Sequence, residues 1–360
     1  MMKKTLVYVC QSFSETNGWG RLARCMAEEA SRRGYRVFTS SADNTGVEGM
    51  SKAPPVFDVH AHIVEKIYRT LMLQIWIWRK SFSHEIVVHI FSEPQFWIIL
   101  GLGKRVTSVG TLCGTYIDPK QHGSCVSQRL FRRSMNYFDH LVAISEYTRS
   151  RASEEWRSHM KVIPLGVSDE LLSRPWKKIG WKEDSSFKVL SIGAVKPRKG
   201  FLELIRGFYE FVQACPEKKP VLCIAGDTGR GRSEYVELLQ KTIRELGLTE
   251  QVILTGRVND DELCGWYRWC DAFALTAIDD GGAFEGFGLV YLEANLFGKP
   301  CLGAVSTGAS QAISSTSGVV VPSVKEADIC RGLKDLCDHA DKLDPVTWAK
   351  DHSWAKVFTF

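Results

Sequence analysis

Short, wholly apolar runs recur along this chain. Each is followed by a turn and then by a stretch whose apolar residues share one helical face. Leu6 to Cys10 is the first such run. An unbroken apolar run of this length belongs in a parallel sheet covered on both sides. After it, Arg21 to Arg33 sets Leu22, Met26, Ala27 and Ala30 on one face of a helix, and Gly34 opens a second strand at Tyr35. Strand, glycine-bearing loop, helix, strand is a βαβ unit. The alternation continues with helix over 63–80, strand over 86–91, a short apolar helix over 94–102 and strand over 106–110. Helix over 125–138, strand over 139–144 and a last strand and turn over 161–167 complete this half. Residues 41–62 read as a polar loop.

Residues 171–186 contain Pro175, Gly180 and Ser185-Ser186 without periodicity, which predicts a linker. The pattern then restarts, with strands over 187–192, 221–225, 251–254, 271–275 and 319–322. Helices over 201–214, 233–246, 260–269 and 324–339 alternate with them. The expected fold class is α/β: two doubly wound, Rossmann-like domains facing a cleft, at 1–170 and 187–340. Residues 341–360 form a closing segment, and 360 residues suit two domains.

Composition changes this picture in one place. The net charge of +5 favours an anionic ligand but does not point to nucleic acid. Residues 1–150 hold 19 Lys and Arg against 12 Asp and Glu, so the basic surplus belongs to this half. Within it, 63–105 intersperses Tyr68, Trp76, Trp78, Phe82, Phe91, Phe96 and Trp97 with Lys66, Arg69, Arg79, Lys80, Lys104 and Arg105. Two readings stand: a basic, aromatic helix lying in a membrane interface, or aromatics filling the core with charges outside. Eleven cysteines without a CxxC pair predict reduced thiols and a cytoplasmic setting. The apolar run after Met1-Met2-Lys3-Lys4 is too short for a secretory leader.

The chemistry concentrates in 279–303. A turn-rich loop carries Glu285, Gly286-Phe287-Gly288 brackets a helix start, and Glu293 lies eight residues beyond Glu285. A helix N-terminus favours an anion, and flanking carboxylates suit hydroxyls, so a nucleotide sugar fits. Lys196, Arg198 and Lys199 follow the strand at 187–192 and are expected to bind phosphate. Asp279-Asp280 lacks partners at metal-ligand spacing, so no metal is expected.

These motifs resemble, in order, the retaining family 4 glycosyltransferases of the GT-B fold. Glu285 to Glu293 matches the family's E-x7-E signature, Arg198-Lys199-Gly200 its RKG element and Gly256-Arg257-Val258 its GxV element. Asn17-Gly18-Trp19-Gly20 matches its glycine loop, Ser145-Glu146-Tyr147-Thr148 its Ser-Glu turn, and Val162 to Val167 and Asp351 to Trp354 further elements. The resemblance implies that Lys199 and Arg198 meet the donor diphosphate and Glu285 the sugar hydroxyls. Backbone from Gly286 through Phe287, Gly288 and Leu289 would meet phosphate, Glu293 the ribose, and Arg257-Val258 the base. Gly18 and Gly20 would close on donor or acceptor. It implies no cofactor or metal, a UDP- or GDP-linked hexose donor, a glycan or lipid-linked acceptor, and residues 341–360 crossing back to the first domain.

Two positions depart from the family. Cys113 stands where a histidine contacts the donor sugar, leaving Asp118 or His122 to substitute. Gly193-Ala194 replaces Gly-Arg, and one lost charged hydrogen bond costs about 1.5–3 kcal/mol. The alternatives are a small soluble acceptor or a catalytically degenerate sugar-nucleotide binder.

Overall fold

The computed structural model describes residues 4–14, 18–184, 187–229 and 233–358. The chain divides into two compact units, Met1–Leu165 with the residues from Val357 on, and Gly166–Lys356.

The first unit is built on β1 (Thr5–Cys10), β2 (Arg36–Ser41), β3 (Ser51–Lys52), β4 (Ile86–Ile90), β5 (Val106–Leu112), β6 (His140–Ala143) and β7 (Met160–Val162). They form one sheet in the order β3-β2-β1-β4-β5-β6-β7, every pair parallel. β3 lies inside the stretch expected to be loop. β7 is shorter than expected; Pro164 has no N–H to extend a ladder. The helices are α1 (Gly18–Arg32), α2 (Ile63–Lys80), α3 (Cys125–Met135), α4 (Glu146–Ser150) and α5 (Glu154–Arg157). The apolar 94–102 stretch is 3-10 helix, Glu93–Gly101. Strand order reverses between β1 and β4, which makes their carboxyl ends the crevice of this sheet.

Aromatic residues of 63–105 divide between both expected fates. Phe91 and Phe96 are fully buried, and Trp76 packs edge-on against Phe38. Along one face of α2, however, Ile63, Ile67, Tyr68, Leu71, Ile75 and Trp78 are exposed, Tyr68 by 62%. Lys66 and Arg69 bend back onto backbone carbonyls of Val59, Ala42 and Val56.

The second unit is built on β8 (Phe187–Ile192), β9 (Pro220–Ala225), β10 (Val252–Gly256), β11 (Ala272–Ala274), β12 (Cys301–Ala304) and β13 (Gly318–Val321). Their order is β10-β9-β8-β11-β12-β13, again all parallel, with the reversal between β8 and β11. The helices are α6 (Glu170–Ser173), α7 (Phe201–Ala214), α8 (Ser233–Glu245), α9 (Asp260–Trp269), α10 (Leu289–Leu296), α11 (Glu326–His339), α12 (Pro345–Asp351) and α13 (Trp354–Val357). Phe201, Phe208, Phe211, Phe273 and Tyr291 fill its core.

The stretch expected to be a linker packs onto the second unit as far as it is described, to residue 184. Lys177 N–H donates to Asp261 O, Trp269 Nε1 donates to Trp181 O, and Trp181 packs at a tilt against Trp269 and edge-on against Trp266. Two indoles and a chain of hydrogen bonds outweigh the Pro and Gly content that suggested flexibility. Ser185-Ser186 lie outside the described residues. At the other end, α12 and most of α13 belong to the second unit, and Trp354 N–H donates to Val167 O. Val357 and Phe358 belong to the first unit, where Arg33 donates to Phe358 O at 2.7 Å and lies 4.8 Å above its ring.

Candidate active site

In the second unit, the loops after β8 and β11 leave the sheet on either side of its strand-order reversal. The β8 loop is sewn down first. Gly193 N–H donates to Ala225 O and Val195 N–H to Asp227 O, each at 3.0 Å. Gly200 then caps α7 at φ +67°, and a Cβ there would stand 1.8 Å from Thr276 O. Only glycine fits both the backbone sign and the space. Thr276 Oγ1 donates to Gly200 O at 2.7 Å, and Ile278 N–H donates to Arg198 O at 2.9 Å. The Arg198-Lys199-Gly200 turn is thereby bolted to the chain that runs on to Glu285.

Glu285 receives both cations. Its Oε2 lies 2.5 Å from Arg198 Nη1 and 2.7 Å from Lys199 Nζ. Burial alone would raise the Glu285 carboxyl, but Lys199 and Arg198 outweigh it and hold it down at about 2. Burial lowers Lys199 and Glu285 pulls it back up. Gly288, at φ +73°, caps α10, so Gly286, Phe287 and Gly288 form the buried entry to that helix and Leu289 begins it. Asp279 Oδ1 accepts from Gly282 N–H, a turn-forming role.

Glu293 lies on α10, and it is 1% exposed. Tyr267 of α9 donates to its Oε2 at 2.7 Å, and Tyr267 stacks on Phe297. Arg257 and Val258 follow β10 at the sheet edge, after Gly256 at φ +73°; Arg257 is exposed.

In the first unit, Gly18 and Gly20 stand in the first turn of α1, where a loop was expected. First-turn N–H groups have no partner within the helix, so glycine costs little there, and Gly20 is buried. Asn17 lies outside the described residues. Trp19 packs against Tyr116, ring centroids 5.4 Å apart. Cys113 follows β5; its N–H donates to Glu93 Oε1 at 2.6 Å. Neither candidate for the missing histidine is positioned by a contact to Cys113. Asp118 caps the turn beginning at Pro119 by accepting from Lys120 N–H, and His122 Nε2 sits 2.7 Å from Tyr116 O while its ring stacks on Phe131. Both hold their own loop in shape.

Family comparisons agree with this geometry. The model for "Glycosyltransferase Family 4" matches residues 16–171, and that for "Glycosyl transferases group 1" matches residues 174–345. The chain belongs to the family 4 glycosyltransferases of the GT-B fold. A GDP-mannose-dependent alpha-(1-6)-phosphatidylinositol monomannoside mannosyltransferase of Mycolicibacterium smegmatis is 29% identical over 59% of this chain and 56% of that protein. The mannosylfructose-phosphate synthase of Agrobacterium fabrum is 28% identical over 44% of this chain and 35% of that one. The matches thus span about half or less of these relatives' length. Among solved structures, Anabaena Alr3699/HepE in complex with UDP and glucose overlays with a TM-score of 0.72 at 18% identity, covering 97% of this chain and 95% of that one.

The family 4 chain therefore brings Lys199, Arg198 and Glu285 together, with the α10 entry following Glu285 in the same loop. Sequence reasoning missed the Tyr267 anchor of Glu293 and the Thr276 clamp on Gly200. It also missed Glu93, although an acidic residue directly after an apolar strand, at a sheet's carboxyl edge, was a readable signal.

Proposed function

We propose that this protein transfers a hexose from a UDP- or GDP-linked sugar to a hydroxyl of a glycan or lipid-linked acceptor, with retention of anomeric configuration. The observation that carries this reading is the convergence of Lys199 and Arg198 on Glu285 at the entry to α10. Donor binding has a direct use for each part. The two cations and the α10 N-terminus neutralise the leaving diphosphate without a metal, and Glu285, kept ionised by them, accepts hydrogen bonds from the sugar hydroxyls. Retention needs no protein base when the departing phosphate oxygen takes the acceptor's proton on the same face. No cofactor is required beyond the donor.

Relatives that act on phosphatidylinositol mannosides support a lipid-linked acceptor. So does the exposed apolar and aromatic face of α2, which is bordered by Arg79 and by Arg105, itself stacked over Phe82. Such a face suits the surface of an anionic bilayer. Among the described residues no helix is long and apolar enough to cross a membrane, and the reading proposed is a peripheral contact through this face, on the cytoplasmic side.

The test is donor turnover with UDP- and GDP-hexoses, comparing the wild type with Glu285→Ala and Lys199→Ala. Loss of transfer with retained fold is expected; full activity in either variant sinks the assignment. Relatives named as a D-inositol 3-phosphate glycosyltransferase and a mannosylfructose-phosphate synthase favour a second reading, a small soluble acceptor. Sedimentation with anionic vesicles separates the two, since only the lipid reading requires binding.

A further inference from the structure

We infer that Glu93 is a positioning residue for the transfer reaction: from the strand-order reversal of the first sheet, its buried carboxyl fixes the Cys113 backbone at the exit of the neighbouring strand β5. The inference rests on the proposed transferase reading.

Glu93 directly follows Ser92 at the carboxyl end of β4, and the pair ties three strand exits together. Ser92 Oγ accepts from Gln11 N–H at 2.9 Å and lies 3.5 Å from Cys10 Sγ, which fixes the exit of β1. Glu93 Oε1 accepts from Cys113 N–H at 2.6 Å, which fixes the exit of β5. Gln95, two residues on, donates to Gln11 Oε1 and to Phe57 O. Ser92, Glu93 and Gln95 are each no more than 1% exposed. The seam therefore sets the backbone at the place where the sheet opens its crevice.

A serine or asparagine serves such a clamp without a buried acid. Glu93 is different because no Lys, Arg or His among the described residues forms an ion pair with it. The Trp19 side chain of α1 donates to it, and the thiols of Cys10 at the end of β1 and Cys113 at the β5 exit are near enough to feel its charge. None of them supplies a positive charge. An uncompensated buried carboxylate is expensive. Burial pushes this carboxyl up to about 7, against the pull of the Cys113 and Gly114 N–H groups and the Trp19 side chain. An acid poised near neutrality in a crevice is a mark of function. Cys113 offers no imidazole, so the first unit contributes here through backbone placement, and Glu93 sets that placement. Above neutrality the carboxylate holds the Cys113 N–H more tightly but charges with no cation to meet it, and water drawn to that charge opens the buried seam around it.

The experiment uses the full chain with a nucleotide-sugar donor that the wild type turns over, and measures kcat and KM from pH 5.5 to 9 for Glu93→Gln and Glu93→Ala. The wild-type kcat should fall above about pH 7. Glu93→Gln, which still accepts the Cys113 N–H, should lose that limb while matching the wild type within about threefold at pH 6. Glu93→Ala should lose about tenfold or more in kcat with donor KM little changed. If Glu93→Ala fails to fold, Glu93→Gln alone decides. A wild-type pH limb that persists in Glu93→Gln overturns this inference while leaving the transferase reading standing. A wild type that turns over no UDP- or GDP-hexose overturns that reading, and this inference with it.

Discussion

The two sheets present the same feature, a strand-order reversal, and furnish it in opposite ways. At the reversal of the second sheet, the carboxylate of Glu285 lies within 2.7 Å of two cations and is held down at about 2. At the reversal of the first, the carboxylate of Glu93 meets backbone N–H groups and the Trp19 side chain but no cation among the described residues, and is pushed up to about 7. Glu93 is fully buried and Glu285 largely so, with 17% of its side chain exposed; the neighbours decide the charge. On the proposed reading, the crevice that takes a diphosphate gathers charge, and the one that takes neutral hydroxyls does without it. The same α/β plan thus furnishes one crevice with charge and the other with neutral contacts.

On the proposed reading, Lys199→Ala removes preorganised charge at the leaving diphosphate and Glu285→Ala removes the acceptor for the sugar hydroxyls, and each should cost roughly 10³-fold in transfer. Donor turnover under saturating acceptor checks this, and an effect below about tenfold would mean that the ion cluster is structural.

Gly200→Ala comes next. Its Cβ would meet Thr276 O at 1.8 Å in a left-handed backbone, so the turn that carries Lys199 must open. Denaturant unfolding should show a loss of roughly 2–4 kcal/mol. Gly18→Ala, where a Cβ meets nothing within 4 Å, serves as the control and should be nearly silent.

Third, the carboxylates should give opposite pH signatures in stability. Glu285 is depressed below its ordinary 4.5, so its contribution is present above 4.5 and is lost as pH falls toward 2. Glu93 is raised above 4.5, so its contribution is full below 4.5 and is lost as pH rises through about 7. Its linkage is worth at most about 3 kcal/mol. Melting curves of the wild type and Glu93→Gln should therefore diverge between pH 5 and pH 8, with the variant gaining relative stability. Parallel curves would show that Glu93 is not raised.

The smallest stability effect belongs to α2. Replacing exposed Ile67 and Trp78 by serine should change unfolding free energy by no more than about 0.5 kcal/mol, since neither side chain fills the core. Binding to anionic vesicles should nevertheless fall severalfold. Unchanged sedimentation would assign this face to something other than a lipid surface.

Much of this architecture was legible in the chain. Apolar runs such as Leu6–Cys10 and 221–225 announced parallel strands because both faces of each sheet are covered. Gly200 and Gly288 marked turns because their backbone sign excludes other residues. The motif order pointed to Lys199, Arg198 and Glu285, and the fold joined them. Less legible were features with no local cause. The stretch around Trp181 looked like linker until Trp266 and Trp269 were found against it. The α2 pattern fitted core and surface equally well, because its apolar residues nearly encircle the helix and only neighbouring elements decide which side is covered.

What the sequence determined by itself is therefore whatever depends on spacing within one element: the βα alternation, the helix starts, the eight-residue interval from Glu285 to Glu293. What only the tertiary structure decided is which distant groups meet. Arg198 and Glu285 are 87 residues apart, Tyr267 and Glu293 are 26, and Glu93 and Cys113 are 20. A carboxylate's charge depends on the burial and the partners that such meetings create, and no periodicity along the chain records them.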